Sequence, residues 1–142
     1  MKRSLFIATL LVLPAIAVSA QQSPGLLAQV RHARFVYVTT YDGSSFSENP
    51  TLEDRAAASA VQDALRQFGP LTVVSQPQQA DMIVVVECRP SEDILAVYSP
   101  RDWPRGDFLW RAMGKGGLSA PALPLLQQLE AALQKVYGKK PV

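Results

Sequence analysis

One cysteine and one histidine in 142 residues leave little for the commoner kinds of side-chain chemistry. A lone cysteine cannot close an internal disulfide, so export has not been used here to staple the fold. Two soft ligands in total cannot complete a zinc site, which wants several Cys or His donors. The histidine, His32, sits in a stretch without regular period, which argues against a serine–histidine catalytic pair. Neither a Gly-x-Ser-x-Gly elbow nor a phosphate-cradling glycine loop occurs. Gly114-Lys115-Gly116-Gly117 has the wrong spacing and opens no immediate helix. No metal and no cofactor are expected.

Long apolar runs are also scarce. The one present extends from Leu5 to Val18, follows Lys2 and Arg3, and closes on Val18-Ser19-Ala20. That layout is a secretory signal peptide, residues 1–20, cleaved after Ala20. Broken by Pro14, the run falls short of the ~20 apolar residues that cross a bilayer. No cysteine follows it to carry a lipid. The expected location is periplasmic or secreted, with no membrane attachment once the signal is removed.

Charge of one sign is missing too. Loss of Lys2 and Arg3 leaves 12 of the 14 basic residues against 12 acidic ones. A balanced chain with no basic run has no electrostatic footprint for nucleic acid. The residues beyond position 20 suit a single domain able to bury roughly two thirds of its surface.

Residues 21–33 show no convincing period and are broken by Pro24-Gly25, which predicts a flexible leader or one short helical turn, dispensable to the fold. Regular structure begins at Arg34-Phe35-Val36-Tyr37-Val38-Thr39-Thr40, a β-branched and aromatic run that reads as a strand. The turn-rich loop 41–50 follows. Thr51 then caps a helix ending at Gly69-Pro70, with Ala57, Ala60, Val61, Ala64, Leu65 and Phe68 on one stripe. Leu71 to Ser75 is a second strand. Met82 to Cys88 is a third, apolar on both faces until Glu87 and therefore central in its sheet. Ile94 to Tyr98 and Phe108 to Met113 are the fourth and fifth. A final helix opens at Pro124, which suits a first helical turn, and buries Leu125, Leu126, Leu129 and Leu133 before Gly138.

The order strand, helix, four strands, helix predicts an α/β (α+β) two-layer sandwich: a mixed sheet of about five strands with two helices on one face. One domain spans 34–138, and 139–142 form a tail. Cys88, ending an apolar strand, is expected to be a buried, inert thiol.

Val36-Tyr37-Val38, Ala64-Leu65, Gly69, Val73-Val74 and Ala80-Asp81 follow one another over residues 34–88. In this order they resemble a group of bacterial envelope α/β domains of the TolB amino-terminal, CsgG and LpoB type. Those domains usually place a helix before the Ala-Asp pair, where only five residues intervene here. The resemblance implies a non-catalytic adaptor of the cell envelope with a protein partner, and it transfers no binding residue.

Surface contact is then the expected mode of action, and residues 99–110, SPRDWPRGDFLW, are the candidate stretch. Arg105-Gly106-Asp107 arises by chance in roughly one chain in thirty of this length, so the tripeptide alone says little. Pro100, Asp102, Pro104 and Gly106 are turn formers joining neighbouring strands. Trp103 is left over by that account. Either it anchors a partner or it folds back to cap the sheet. Trp103, Arg105, Asp107 and Trp110 are the candidate partner-binding residues.

Phe35 and Tyr37, Ile94 and Tyr98, Phe108 and Trp110 lie at alternate positions on three strands. If the helices cover this phase, it is core; if they cover the opposite, aliphatic phase of Val36, Val38, Leu95 and Val97, an aromatic face remains open for a protein partner or a homodimer. The competing reading is a small hydrolase-like enzyme using the loop carboxylates Asp42, Glu48, Asp102 and Asp107.

Overall fold

The computed structural model describes residues 27–40, 50–104 and 106–138. The expected signal peptide, the carboxylates Asp42 and Glu48, the candidate Arg105 and the tail 139–142 lie outside the described residues. Among the described residues no helix is long and apolar enough to cross a membrane.

Strand β1 is Phe35–Thr40, and helix α1, Leu52–Phe68, follows it. The helix starts where expected, because the Thr51 hydroxyl accepts the Asp54 amide at 3.1 Å and the Asp54 carboxylate accepts the Thr51 amide at 3.1 Å. This reciprocal capping box pairs two amides that would otherwise lack intrahelical partners. Gly69 ends the helix at φ 90°, a conformation that glycine adopts without a Cβ penalty. Strands β2 (Thr72–Val74), β3 (Met82–Cys88), β4 (Asp93–Tyr98) and β5 (Phe108–Gly114) come next. Helix α2, Pro124–Tyr137, closes the order and places Pro124 in its first turn.

The sheet runs β2-β1-β3-β4-β5, with β1 parallel to both β2 and β3 and the β3-β4-β5 part antiparallel. The mixed five-stranded sheet with two helices is the predicted α/β sandwich. β3 is its central strand, buried from Met82 through Glu87, as its lack of a polar phase requires.

Both helices lie on the same face. α1 packs over β1, β2 and β3, and α2 over β4 and β5. Their stripes meet Val36, Val38, Val84, Val86, Leu95 and Val97 to form the main core. Val61, Leu65, Leu129 and Leu133 are fully buried there.

Residues 27–33 are packed rather than free. Leu27–Val30 forms a single 3-10 turn, and Leu27, Val30 and Ala33 are buried in the main core against α2. The Tyr137 hydroxyl on α2 donates to the Ala33 carbonyl at 3.4 Å. Burial, and then the Asp81 carboxylate, push the Tyr137 hydroxyl pKa up from its ordinary value. The burial of Leu27 and Val30 leaves no mark in the sequence, because two apolar residues three apart are too short a pattern to show a period.

Candidate functional site

The helices cover the aliphatic phase, so the aromatic phase lies on the other face of the sheet. Register places Val74, Tyr37, Ile83, Tyr98 and Phe108 opposite one another on successive strands. They make one transverse row across all five strands, since residues paired across a sheet project from the same face. Ile83 is buried, Tyr37 and Tyr98 are half-buried, and Phe108 stands 39% exposed at the outer strand. Phe35, two positions before Tyr37 on β1, is 42% exposed.

Two connections fold over the middle of this face. Between β2 and β3 the chain forms the 3-10 turn Pro77–Gln79 and must pass β1, because β2 and β3 flank it. Ala80 at its end joins Ile83, Val85 and Ala96 in a second, smaller cluster. Asp81 then fixes β1, its carboxylate accepting the amides of Arg34 at 2.9 Å and Phe35 at 3.1 Å. The Ala-Asp pair therefore serves the fold locally, with a small residue under the crossing chain and an acceptor for the start of a strand.

The second connection is the stretch 99–107 between the antiparallel neighbours β4 and β5. The Ser99 amide donates to the Asp107 carbonyl at 2.8 Å, and the Trp103 amide to the Pro100 carbonyl at 3.3 Å. Asp102 takes a left-handed conformation at φ 57°. A Cβ on Gly106 would collide with the Ser99 carbonyl oxygen, so the glycine of Arg105-Gly106-Asp107 is a requirement of the turn. Asp102 and Asp107 are exposed on this loop.

Trp103 lies half-buried against the small cluster, its ring 6.0 Å from Tyr98 at an interplanar angle of 70°. Tyr98 is in turn 5.8 Å from Phe108 at 74°. The Arg111 guanidinium carbon is 5.8 Å from the Phe108 ring centre, within cation–π range. Trp103, Tyr98, Phe108 and Arg111 thus form a continuous aromatic and cationic strip over β4 and β5. The fold-back reading of Trp103 describes this packing.

Trp110 belongs elsewhere. Tyr98 pairs with Phe108 while its neighbour Val97 pairs with Trp110, so Leu109 is an extra residue and β5 bulges there. The bulge shifts Trp110 out of phase with Phe108 and turns it into the helix-side core, 2% exposed. There it is no partner contact. Its indole Nε1 is buried with no hydrogen-bond partner among the described residues. Alternation alone puts Phe108 and Trp110 on one face, and only the pairing with β4 reveals the inserted residue.

Cys88 is half-buried at the end of β3, and its thiol is pushed up to about 11, by burial first and then by the carboxylates of Asp93, Asp54 and Glu53. The Cys88 amide donates to Asp54 at 3.0 Å, tying the start of α1 to the end of the central strand. The sequence points to the Thr51–Asp54 cap and not to this second use of Asp54. Among the described residues no group of three or more His, Cys, Asp and Glu is arranged to hold a metal.

No family model matches the chain, and no curated protein matches it. Among solved structures it is similar to the PelC dodecamer from Paraburkholderia phytofirmans, at 18% identity, covering 71% of this chain and 86% of that one, with a TM-score of 0.42. A leucine-to-methionine variant of the same dodecamer gives 19% identity, 71% and 88% coverage, and a TM-score of 0.45.

Proposed function

We propose that the chain is a non-catalytic binding or assembly module of the bacterial cell envelope, working in the periplasm or outside the cell through the helix-free face of its sheet. The observation that carries this reading is the transverse row ending in Phe108, with Phe35 exposed beside it. Aromatic rings and arginine are enriched in contact surfaces because they bury much area with few rotors to immobilise. Phe108 is held between Tyr98 and Arg111, so little further ordering is needed on contact. The resemblance of residues 34–88 to envelope domains supports the setting. The partner is a protein, and a second copy of the chain is one occupant of the right shape.

A photoreactive phenylalanine analogue at Phe108, in cells exporting the protein, tests the reading. Irradiation is expected to give a discrete protein adduct. The same analogue at Gln67, exposed on α1, is expected to give none. Equal adducts at both positions, or none at Phe108, would remove the helix-free face as the working surface.

A further inference from the structure

On the helix side, away from the aromatic row, a cleft of about 660 Å³ opens between the first half of α1 and the segment leading into α2. Ala56, Ala57 and Ala60 form one wall, Leu118 and Ala120 the other, and Cys88 lies against it at the end of β3. The walls are apolar because α1 presents alanine over these turns. A methyl-lined helix leaves a gap where larger side chains would have met the opposite segment. The volume is within the roughly 300–1,000 Å³ of small-molecule sites. Its position, beyond the carboxyl ends of the parallel strands, is also where open α/β sheets commonly take ligands.

Carboxylates outnumber cations around this cleft. Glu53 and Asp93 line it. Asp93 is positioned by accepting the Leu118 amide at 2.9 Å. Asp54 lies beneath, bound to the Cys88 amide. Arg89 also lines the cleft, its guanidinium forked onto the Glu87 carboxylate at 2.5 and 3.2 Å, so that it faces a carboxylate partner of its own. The Cys88 thiol in the wall is raised by burial first, and by the carboxylates of Asp93, Asp54 and Glu53 after it.

We infer that this cleft binds an organic monocation with an apolar body, an alkylamine or quaternary ammonium compound, its chain between the alanines and Leu118 and its charge toward Glu53 and Asp93. An apolar body gains by leaving water, and the carboxylates select the sign of the head group. An anion of the same shape would meet more like charge than opposite.

Calorimetric titration of the purified chain with decyltrimethylammonium, decyl sulfate and decanol, each below its aggregation limit, tests this. Saturable binding of the cation is expected, at least tenfold tighter than that of decyl sulfate. Ala60→Phe, which fills the cleft, should abolish it. Glu53→Gln, on an exposed position that carries no core packing, should weaken it severalfold and decides the matter if Ala60→Phe does not fold. Equal binding of the two ions, binding unaffected by either substitution, or no saturable heat for the cation would each overturn the inference. None of these outcomes bears on the aromatic face.

Discussion

Trp103 stands edge-on to Tyr98, their ring centres 6.0 Å apart, and so joins the β4–β5 connection to the transverse aromatic row. A loop with two prolines becomes part of the sheet's second layer through this contact. The geometry gives Trp103 two roles, covering the small cluster of Ala80, Ile83, Val85 and Ala96 and holding Tyr98 in place beside Phe108.

Trp103→Ala is therefore expected to keep the fold and lose about 1–2 kcal/mol of stability, less than the ~3–5 kcal/mol of a fully buried aromatic because Trp103 is only half-buried. Urea unfolding measures the loss. Cross-linking from Phe108 should fall in the same variant, since Tyr98 is freed from one side. A folded variant with undiminished cross-linking would show that Trp103 serves packing alone.

Phe108→Glu places a charge at the exposed rim of the helix-free face. If the occupant is a second copy, sedimentation of the unaltered protein shows concentration-dependent association and the variant sediments as a monomer. A monomer in both cases assigns the face to a different protein.

Gly106→Ala is expected to destabilise the hairpin by about 1–3 kcal/mol, because the new methyl must displace the Ser99 carbonyl. Asp107→Ala leaves the backbone acceptor for Ser99 in place and should cost little. The pair of unfolding curves separates a turn requirement from a recognition motif. Equal effects of the two substitutions would contradict the steric account.

Asp54→Ala removes a carboxylate that accepts the Thr51 amide, the Thr51 hydroxyl and the Cys88 amide. The loss of a helix cap is worth ~1 kcal/mol and a buried unpaired amide a further ~1–3 kcal/mol, so a loss of about 2–4 kcal/mol is expected in denaturant unfolding. Asp54→Asn keeps one acceptor and should fall between Asp54→Ala and the unaltered protein.

The Cys88 thiol has a pKa raised from 9.0 to about 11 in the fold. Alkylation by iodoacetamide should keep accelerating up to about pH 11 instead of levelling near 9, and the midpoint should fall in Asp93→Asn. Above pH 9 the unfolded thiol loses its proton while the folded one keeps it, so the folded state binds more protons there. This contribution to stability is complete below pH 9 and is lost as pH rises through about 11. A plateau of the alkylation rate near pH 9 would refute the assignment.

Signals confined to a few neighbouring residues specified the elements. The Thr51 cap, the Ala57–Leu65 stripe, Pro124 in a first turn and the doubly apolar run 82–88 each name their helix or strand, because capping, 3.6-residue periodicity and burial on both faces leave a local imprint. Even the central place of β3 follows from composition. What remained for tertiary structure was every relationship between distant segments. Which phase the helices cover, the Leu109 bulge that sends Trp110 into the core, the burial of Leu27 and Val30, the reach of Asp54 to Cys88 and the cleft above it all depend on register and on the packing of non-neighbours. Those are settled by the joint fit of side chains across the whole sheet, to which no short window of sequence has access.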